Sequence, residues 1–146
     1  MRAKDILAAK GTRVVTVPEE SRLIDVLSLF FANRIGSLVV VDNYNVIEGI
    51  VAPNDVLKAL HENPTTIAAL SVGDVMTREV IAADPEETVD NLMSIMTEHR
   101  IRHIPIIESG KLAGLVSLGD VVKAQLKDKH VEIHYLKDYL EGKYPA

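Results

Sequence analysis

One half of this chain repeats the other, and that internal repeat limits the possible folds more than any other feature. Val14-Val15 lies over Val80-Ile81, and the match runs on without a gap: Leu23 over Val89, Val26 over Leu92, Phe30 over Met96, Arg34-Ile35 over Arg100-Ile101. Leu38-Val39-Val40-Val41 coincides with Ile104-Pro105-Ile106-Ile107. The period is 66 residues up to this point. One extra residue in the first copy's following turn shortens it to 65, after which Gly49-Ile50-Val51 meets Gly114-Leu115-Val116 and Asp55-Val56 meets Asp120-Val121. A unit of about 65 residues is marginal alone, so two copies are expected to share their burial by packing sheet to sheet.

Each copy carries the same element pattern, β-α-β-β-α, which predicts an α/β (α+β) fold. Short strands are expected over 14–17 and 80–82, with Pro18 and Pro85 just beyond. Apolar residues at three- and four-residue spacing predict helices over 23–33 and 88–99. Asp84 is the expected cap of the second, with Glu86-Glu87 in its first turn. Strand pairs follow over 37–42 with 47–52 and over 103–108 with 112–117, joined by the turns Asn43-Tyr44-Asn45 and Ser109-Gly110-Lys111. Closing helices are expected over 54–61 and 119–127. The chain therefore divides into a first repeat (1–62), a linker (63–71, with Asn63-Pro64-Thr65-Thr66), a second repeat (72–128) and a C-terminal stretch (129–146). In that last stretch Val131, Tyr135, Leu136, Tyr139 and Leu140 predict a short amphipathic helix in want of a partner surface, stopped by Gly142 and Pro145.

Composition removes several functional classes. With 47 % apolar and 25 % charged residues the chain can bury a core and stay in solution. A net charge of −5, no Trp and two Phe argue against a nucleic-acid partner, which calls for a basic face and stacking platforms. No Cys excludes disulfides and thiolate metal sites, and suits a reducing compartment. Residues 1–10 lack the apolar run of a signal peptide, and no stretch approaches a membrane span, so a cytoplasmic protein is expected, with no membrane partner. No nucleophile, base and orienting group occur together, so the chain is not expected to be an enzyme. His130 and His134 share a helical face with Glu132 and Asp138 near, but a solvated face is the favoured reading and no metal is expected. His99 and His103 should diverge, and Met76, Met93 and Met96 read as core filler.

The segment 114–120 carries the clearest chemistry. A strand ends at a hydroxyl, Ser117, and a glycine, Gly119, precedes Asp120 at a helix start. A helix N-terminus offers free N–H groups to a phosphate, a hydroxyl can add a donor, and a carboxylate can accept from two neighbouring ribose hydroxyls. The same residues also fit a simple helix cap.

The repeat resembles the cystathionine-β-synthase (CBS) domain family over Asp5 to about Lys127. The resemblance is carried by Asp74-Val75-Met76-Thr77, Arg100-Ile101-Arg102-His103-Ile104-Pro105-Ile106 and Gly114-Leu115-Val116-Ser117-Leu118-Gly119-Asp120-Val121, and more loosely by Gly49-Ile50-Val51-Ala52-Pro53-Asn54-Asp55-Val56. It implies two repeats about a pseudo-twofold axis, a homodimer, and an adenosine compound in the cleft between repeats. By resemblance, the principal ligand site takes Asp120, Ser117, Gly119 and Leu115 from the second copy, Val14, Val15, Ile35, Gly36 and Ser37 from the first, and Arg102 and His103 near the axis. Lys10, Gly11 and Thr12 are expected at its mouth. A weaker second site takes Asp55, Thr77, Ile81 and Ile101, because Ala52 stands where the second copy has Ser117. The implied function is a non-catalytic regulator that binds an adenine nucleotide (AMP first, then ADP or ATP) and signals to an unidentified regulated protein. The alternatives are a partner-binding scaffold, or a pocket for NADH or S-adenosylmethionine.

Overall fold

Leu38–Val41 (β2) is an unbroken run of apolar residues, and it forms the middle strand of the first sheet. It pairs in parallel with Thr16–Val17 (β1) and antiparallel with Ile47–Val51 (β3). Leu23–Asn33 (α2) covers this sheet with Leu23, Val26 and Phe30, and Pro53–Glu62 (α3) closes the copy. The computed structural model describes residues 1–141, excepting the side chains of 130–132, 135 and 139.

The second copy repeats this plan with His103–Glu108 (β4), Lys111–Ser117 (β5) and Val89–His99 (α5). It lacks the first strand expected over 80–82; only Ala83 bridges to Ile106. The reason is Pro105. In the first copy the N–H of Val39 donates to the Val15 carbonyl at 3.4 Å, which extends the parallel ladder. Pro105 occupies the equivalent place and has no N–H, so the matching bond to Ile81 cannot form. The cap expected at Asp84 is also displaced. Thr88 caps α5, its hydroxyl accepting from the Asn91 N–H at 3.2 Å, while Asp84 opens a turn in which its side chain accepts from the Glu86 N–H at 2.7 Å. Asp84 precedes a proline, which disfavours helical geometry for the residue before it.

The closing helix of the second copy does not end near residue 127. It runs on as one helix, Leu118–Leu140 (α6), because no Gly or Pro interrupts the chain between Gly119 and Gly142. Leu136 and Leu140 on it are exposed. The side chains of Val131, Tyr135 and Tyr139, and the expected stops at Gly142 and Pro145, lie outside the described residues.

Two helices not expected from the sequence open the copies and lock them together. Ala3–Lys10 (α1) precedes the first copy but packs on β5 and α6 of the second. Val72–Val75 (α4) precedes the second copy but packs on β3 and α3 of the first. The exchange follows the pseudo-twofold symmetry bond by bond. Ala3 N–H donates to Glu87 O and Lys4 N–H to Pro85 O; Val72 N–H donates to Ser21 O and Gly73 N–H to Glu19 O. Each helix presses a long apolar side chain against a strand glycine. A Cβ on Gly114 would come within 2.6 Å of Leu7, and one on Gly49 within 2.5 Å of the Met76 sulfur. The two cores are accordingly mixed: Ala3, Ile6 and Leu7 belong with Leu92, Ile104 and Val116, and Val72 and Met76 with Val26, Leu38 and Val51.

Candidate ligand-binding site

Both carboxylates singled out in the sequence sit at the third position of a closing helix, where an acid can reach back to the free N–H at the helix start. Asp55 Oδ2 accepts from the Ala52 N–H at 2.8 Å, and Asp120 Oδ2 accepts from the Ser117 N–H at 2.9 Å. Ser117 returns the bond, its hydroxyl accepting from the Asp120 N–H at 3.1 Å. Ala52 has no hydroxyl to do so, and the Asp55 N–H turns instead to the Ala52 carbonyl at 3.0 Å.

The surroundings of the two acids differ. Asp55 borders a cavity of about 660 Å³ between the copies. Its floor comes from β3 and the start of α3 (Ile50, Ala52, Pro53, Asn54). The far wall is the segment 79–81, with Arg100, Ile101, Arg102 and His103, and Gly36 and Ser37 close it near the axis. Asp55 Oδ1 receives only a long bond there, from the Thr77 hydroxyl at 3.3 Å. Ser37 is 4 % exposed, and its hydroxyl has no hydrogen-bond partner among the described residues. The His103 ring lies against Gly36, where a Cβ would stand 3.0 Å from its Cε1. Asp120 is not among the residues that line this cavity. The Lys10 ammonium donates to its Oδ2 at 2.7 Å and to the Leu115 carbonyl at 3.0 Å.

The CBS domain profile matches residues 3–62 and 72–127. The chain belongs to the CBS domain family. Among its relatives, the mitochondrial CBS domain-containing protein CBSX3 of Arabidopsis thaliana is 31 % identical over 148 residues, covering 96 % of this chain and 72 % of that protein. A CBS-domain containing protein from Agrobacterium tumefaciens superposes with a TM-score of 0.82 at 39 % identity, over 86 % of this chain and 99 % of that one. The CBS domain pair of protein MJ0100, solved with 5′-methylthioadenosine and S-adenosyl-L-methionine, superposes with a TM-score of 0.75 at 25 % identity, over 85 % of this chain and 98 % of that one. The chain is thus a CBS pair, a regulatory type of module.

Within this CBS pair, the structure brings Asp55, Thr77, Ile81 and Ile101 together around the cavity, and adds Gly36, Ser37, Arg102 and His103. Ser117, Gly119, Arg102 and His103 instead flank a broad groove of about 880 Å³ along α6, floored by Leu118, Val122 and Leu126. Val15 and Ile35 pack on the first core, Val14 is half-buried, and Leu115 offers its carbonyl to Lys10. Sequence reasoning did not single out Glu79 or Val80 for this cavity, and used Arg100 only as a marker of the repeat. Arg100 follows α5 in the left-handed conformation (φ 54°), as Arg34 follows α2 (φ 51°), and it lines the cavity.

Charge sharpens the contrast. Burial works to raise the Asp120 pKa, but the Lys10 ammonium and the two bonds from Ser117 outweigh it and hold the carboxyl below the usual aspartate value. Burial pushes the His103 imidazole below its ordinary value; Lys10 and Arg102 push the same way and Asp120 opposes them. Among the described residues no group of three or more His, Cys, Asp or Glu is placed to hold a metal ion, and His134 donates to Asp138 at 3.1 Å. The side chains of His130 and Glu132 lie outside the described residues. No helix among the described residues is long and apolar enough to cross a membrane.

Proposed function

We propose that this CBS pair is a non-catalytic regulator that binds an adenine nucleotide, AMP first among AMP, ADP and ATP, in the cavity beside Asp55. The sequence ranks the Asp120 site higher; the cavity and the engagement of Asp120 by Lys10 favour Asp55. The observation that carries the reading is the cavity itself, which gathers Asp55, Ile81, Ile101, Arg100 and Arg102 from both copies around one space. Asp55 is suited to the two ribose hydroxyls, Ile81 and Ile101 to the purine faces, and Arg100 and Arg102 to a phosphate. Such a ligand touches both copies, so it favours one angle between them, and that difference can be sensed by a partner protein. A second reading is an adenosyl ligand without phosphate, supported by the MJ0100 pair with its methylthioadenosine and S-adenosyl-L-methionine. Two arginines beside the cavity favour an anion over a sulfonium cation.

The regulator is a homodimer in this reading. Phe31 on α2 is 81 % exposed and Leu57 on α3 is 62 % exposed, apolar side chains that a second copy would cover. A reducing cytoplasm, with its adenylate pool, suits a chain without cysteine. Thermal shift against AMP, ADP, ATP, NADH and S-adenosyl-L-methionine tests the ligand, with AMP expected to raise the melting temperature most. A ligand at a hundred times its Kd adds about 2.7 kcal/mol of stability. No response to any of the five would leave the partner-binding scaffold as the better account. Light scattering that finds a monomer at high concentration would remove the dimer.

A further inference from the structure

The two copies differ in how many residues join the opening helix to the first strand position. Leu7 and Met76 are equivalent, each pressing on a strand glycine, and they lie 69 residues apart. Val15 and Ile81 are equivalent and lie 66 apart. The first copy therefore carries three extra residues between these points, and α1 runs to eight residues against four in α4. Lys10 ends the longer helix.

Its ammonium stands where the other copy uses Thr77. In the first copy the Ile50 carbonyl accepts from the Thr77 N–H at 2.9 Å, and Thr77 donates its hydroxyl to Asp55. In the second copy the Leu115 carbonyl, equivalent to that of Ile50, accepts from Lys10, and Lys10 also reaches Asp120. One ammonium thus replaces a strand bridge and a hydroxyl, and brings a positive charge onto the carboxylate. The ion pair is half-shielded, with side-chain exposures of 38 % for Lys10 and 22 % for Asp120. A ribose hydroxyl approaching Asp120 meets an oxygen already bonded to Lys10 and to the Ser117 N–H.

We infer that Lys10 is an internal competitor that closes the Asp120 half of the inter-repeat space, so that the chain binds a single nucleotide. The inference deepens the reading of a nucleotide site at Asp55 and rests on it. Lys10 gives Asp120 a short, charged bond of 2.7 Å where Asp55 receives only the neutral 3.3 Å bond from Thr77, so Lys10 sets the stoichiometry.

Calorimetry with AMP on the full chain tests this. The wild type is expected to bind one AMP per chain. Lys10→Met, which keeps the apolar stem and removes the charge, is expected to add a second site. Asp120→Asn placed on top of Lys10→Met should abolish the added site and leave the first. One site of unchanged affinity in Lys10→Met would overturn the inference. So would a loss of binding in Lys10→Met, which would make Lys10 a ligand contact. If the wild type binds no AMP but Lys10→Met binds one, the Asp55 reading fails and the closure stands; if neither binds, both fail. A second measurement needs no nucleotide: carboxyl NMR should show Asp120 titrating at higher pH in Lys10→Met than in the wild type. An unchanged midpoint means that Lys10 does not hold Asp120 in solution, and that too overturns the inference.

Discussion

Asp55 and Asp120 sit at the same helix position in equivalent copies, and each reaches back to the N–H three residues earlier. One borders a cavity of about 660 Å³; the other is held by a lysine. The difference does not arise at the carboxylates. It comes from what each copy receives across the axis: Thr77 with the unpaired segment 79–81 for Asp55, and the end of α1 for Asp120. Pro105 contributes from a distance. It withholds the bond that Val39 makes to Val15, so the second copy keeps only the Ala83 bridge in place of β1, and Val80 and Ile81 beside it line the cavity. In a tandem repeat, then, a site's character can be set by substitutions in the copy that does not own its key acid.

The largest test of that contrast is Asp55→Ala. Two charge-assisted bonds to a ribose would be lost, about 1.5–3 kcal/mol each, so AMP affinity should fall at least a hundredfold. Asp120→Ala in an otherwise unaltered chain should leave calorimetric affinity within a few-fold. The reverse pattern would assign the ligand to the Asp120 site. Next in size, Leu7→Ala should cost about 2–5 kcal/mol of stability, because Leu7 is buried against Gly114 in the core of the second copy. Hydrogen exchange should show the loss of protection in β4 and β5 before β2 and β3. A loss confined to the first copy would contradict the exchange of opening helices.

These contrasts were unevenly visible in the sequence. The repeat, α2 at residues 23–33 and β4 at residues 103–108 followed directly from apolar spacing, since buried faces write their period into the chain. Asp55, Thr77, Ile81 and Ile101 were placed together by resemblance, and they do line one cavity. The exchange of α1 and α4 was hidden because eight- and four-residue helices carry too few turns to show a period, and because their partners are distant in sequence. Lys10 was placed at the mouth of the Asp120 site, but its bond to the carboxylate is a contact across 110 residues, which no local pattern encodes. The missing strand at 80–82 was encoded, in Pro105, but only when read against Val39 in the other copy.

A smaller effect should come from Pro105→Val. Restoring an N–H there should let the Ile81 carbonyl accept a bond as Val15 does from Val39, tie Ile81 to the sheet, and weaken AMP binding by about tenfold, roughly 1.4 kcal/mol, without lowering stability. Unchanged affinity would mean that the free segment does not shape the site. The smallest is a pH effect at His103. The folded chain holds this imidazole below its ordinary value of 6.5, so the unfolded chain binds the proton more readily. Its contribution to stability is therefore complete above that value and declines as pH falls below it. His103→Gln should flatten the melting temperature over that acid range. AMP phosphate beside the ring should reverse the preference, so that binding takes up protons, seen as a buffer-dependent enthalpy. An enthalpy independent of buffer would place the phosphate elsewhere.

The exchanged opening helices also bear on how the chain is made. A ribosome releases α1 well before β5, since the strand that Leu7 and Lys10 rest on lies about a hundred residues downstream, the Lys10 to Leu115 bond spanning 105. At a synthesis rate of about 5–20 residues per second, α1 waits roughly 5–20 s with its apolar side uncovered. An eight-residue helix is too short to persist alone, so the segment must wait largely as coil. The first copy waits far less, since it lacks Val72 and Met76 only until the linker has emerged. The first copy can therefore close its core while α1 still waits for β5, and the second closes only once β5 and the start of α6 have emerged.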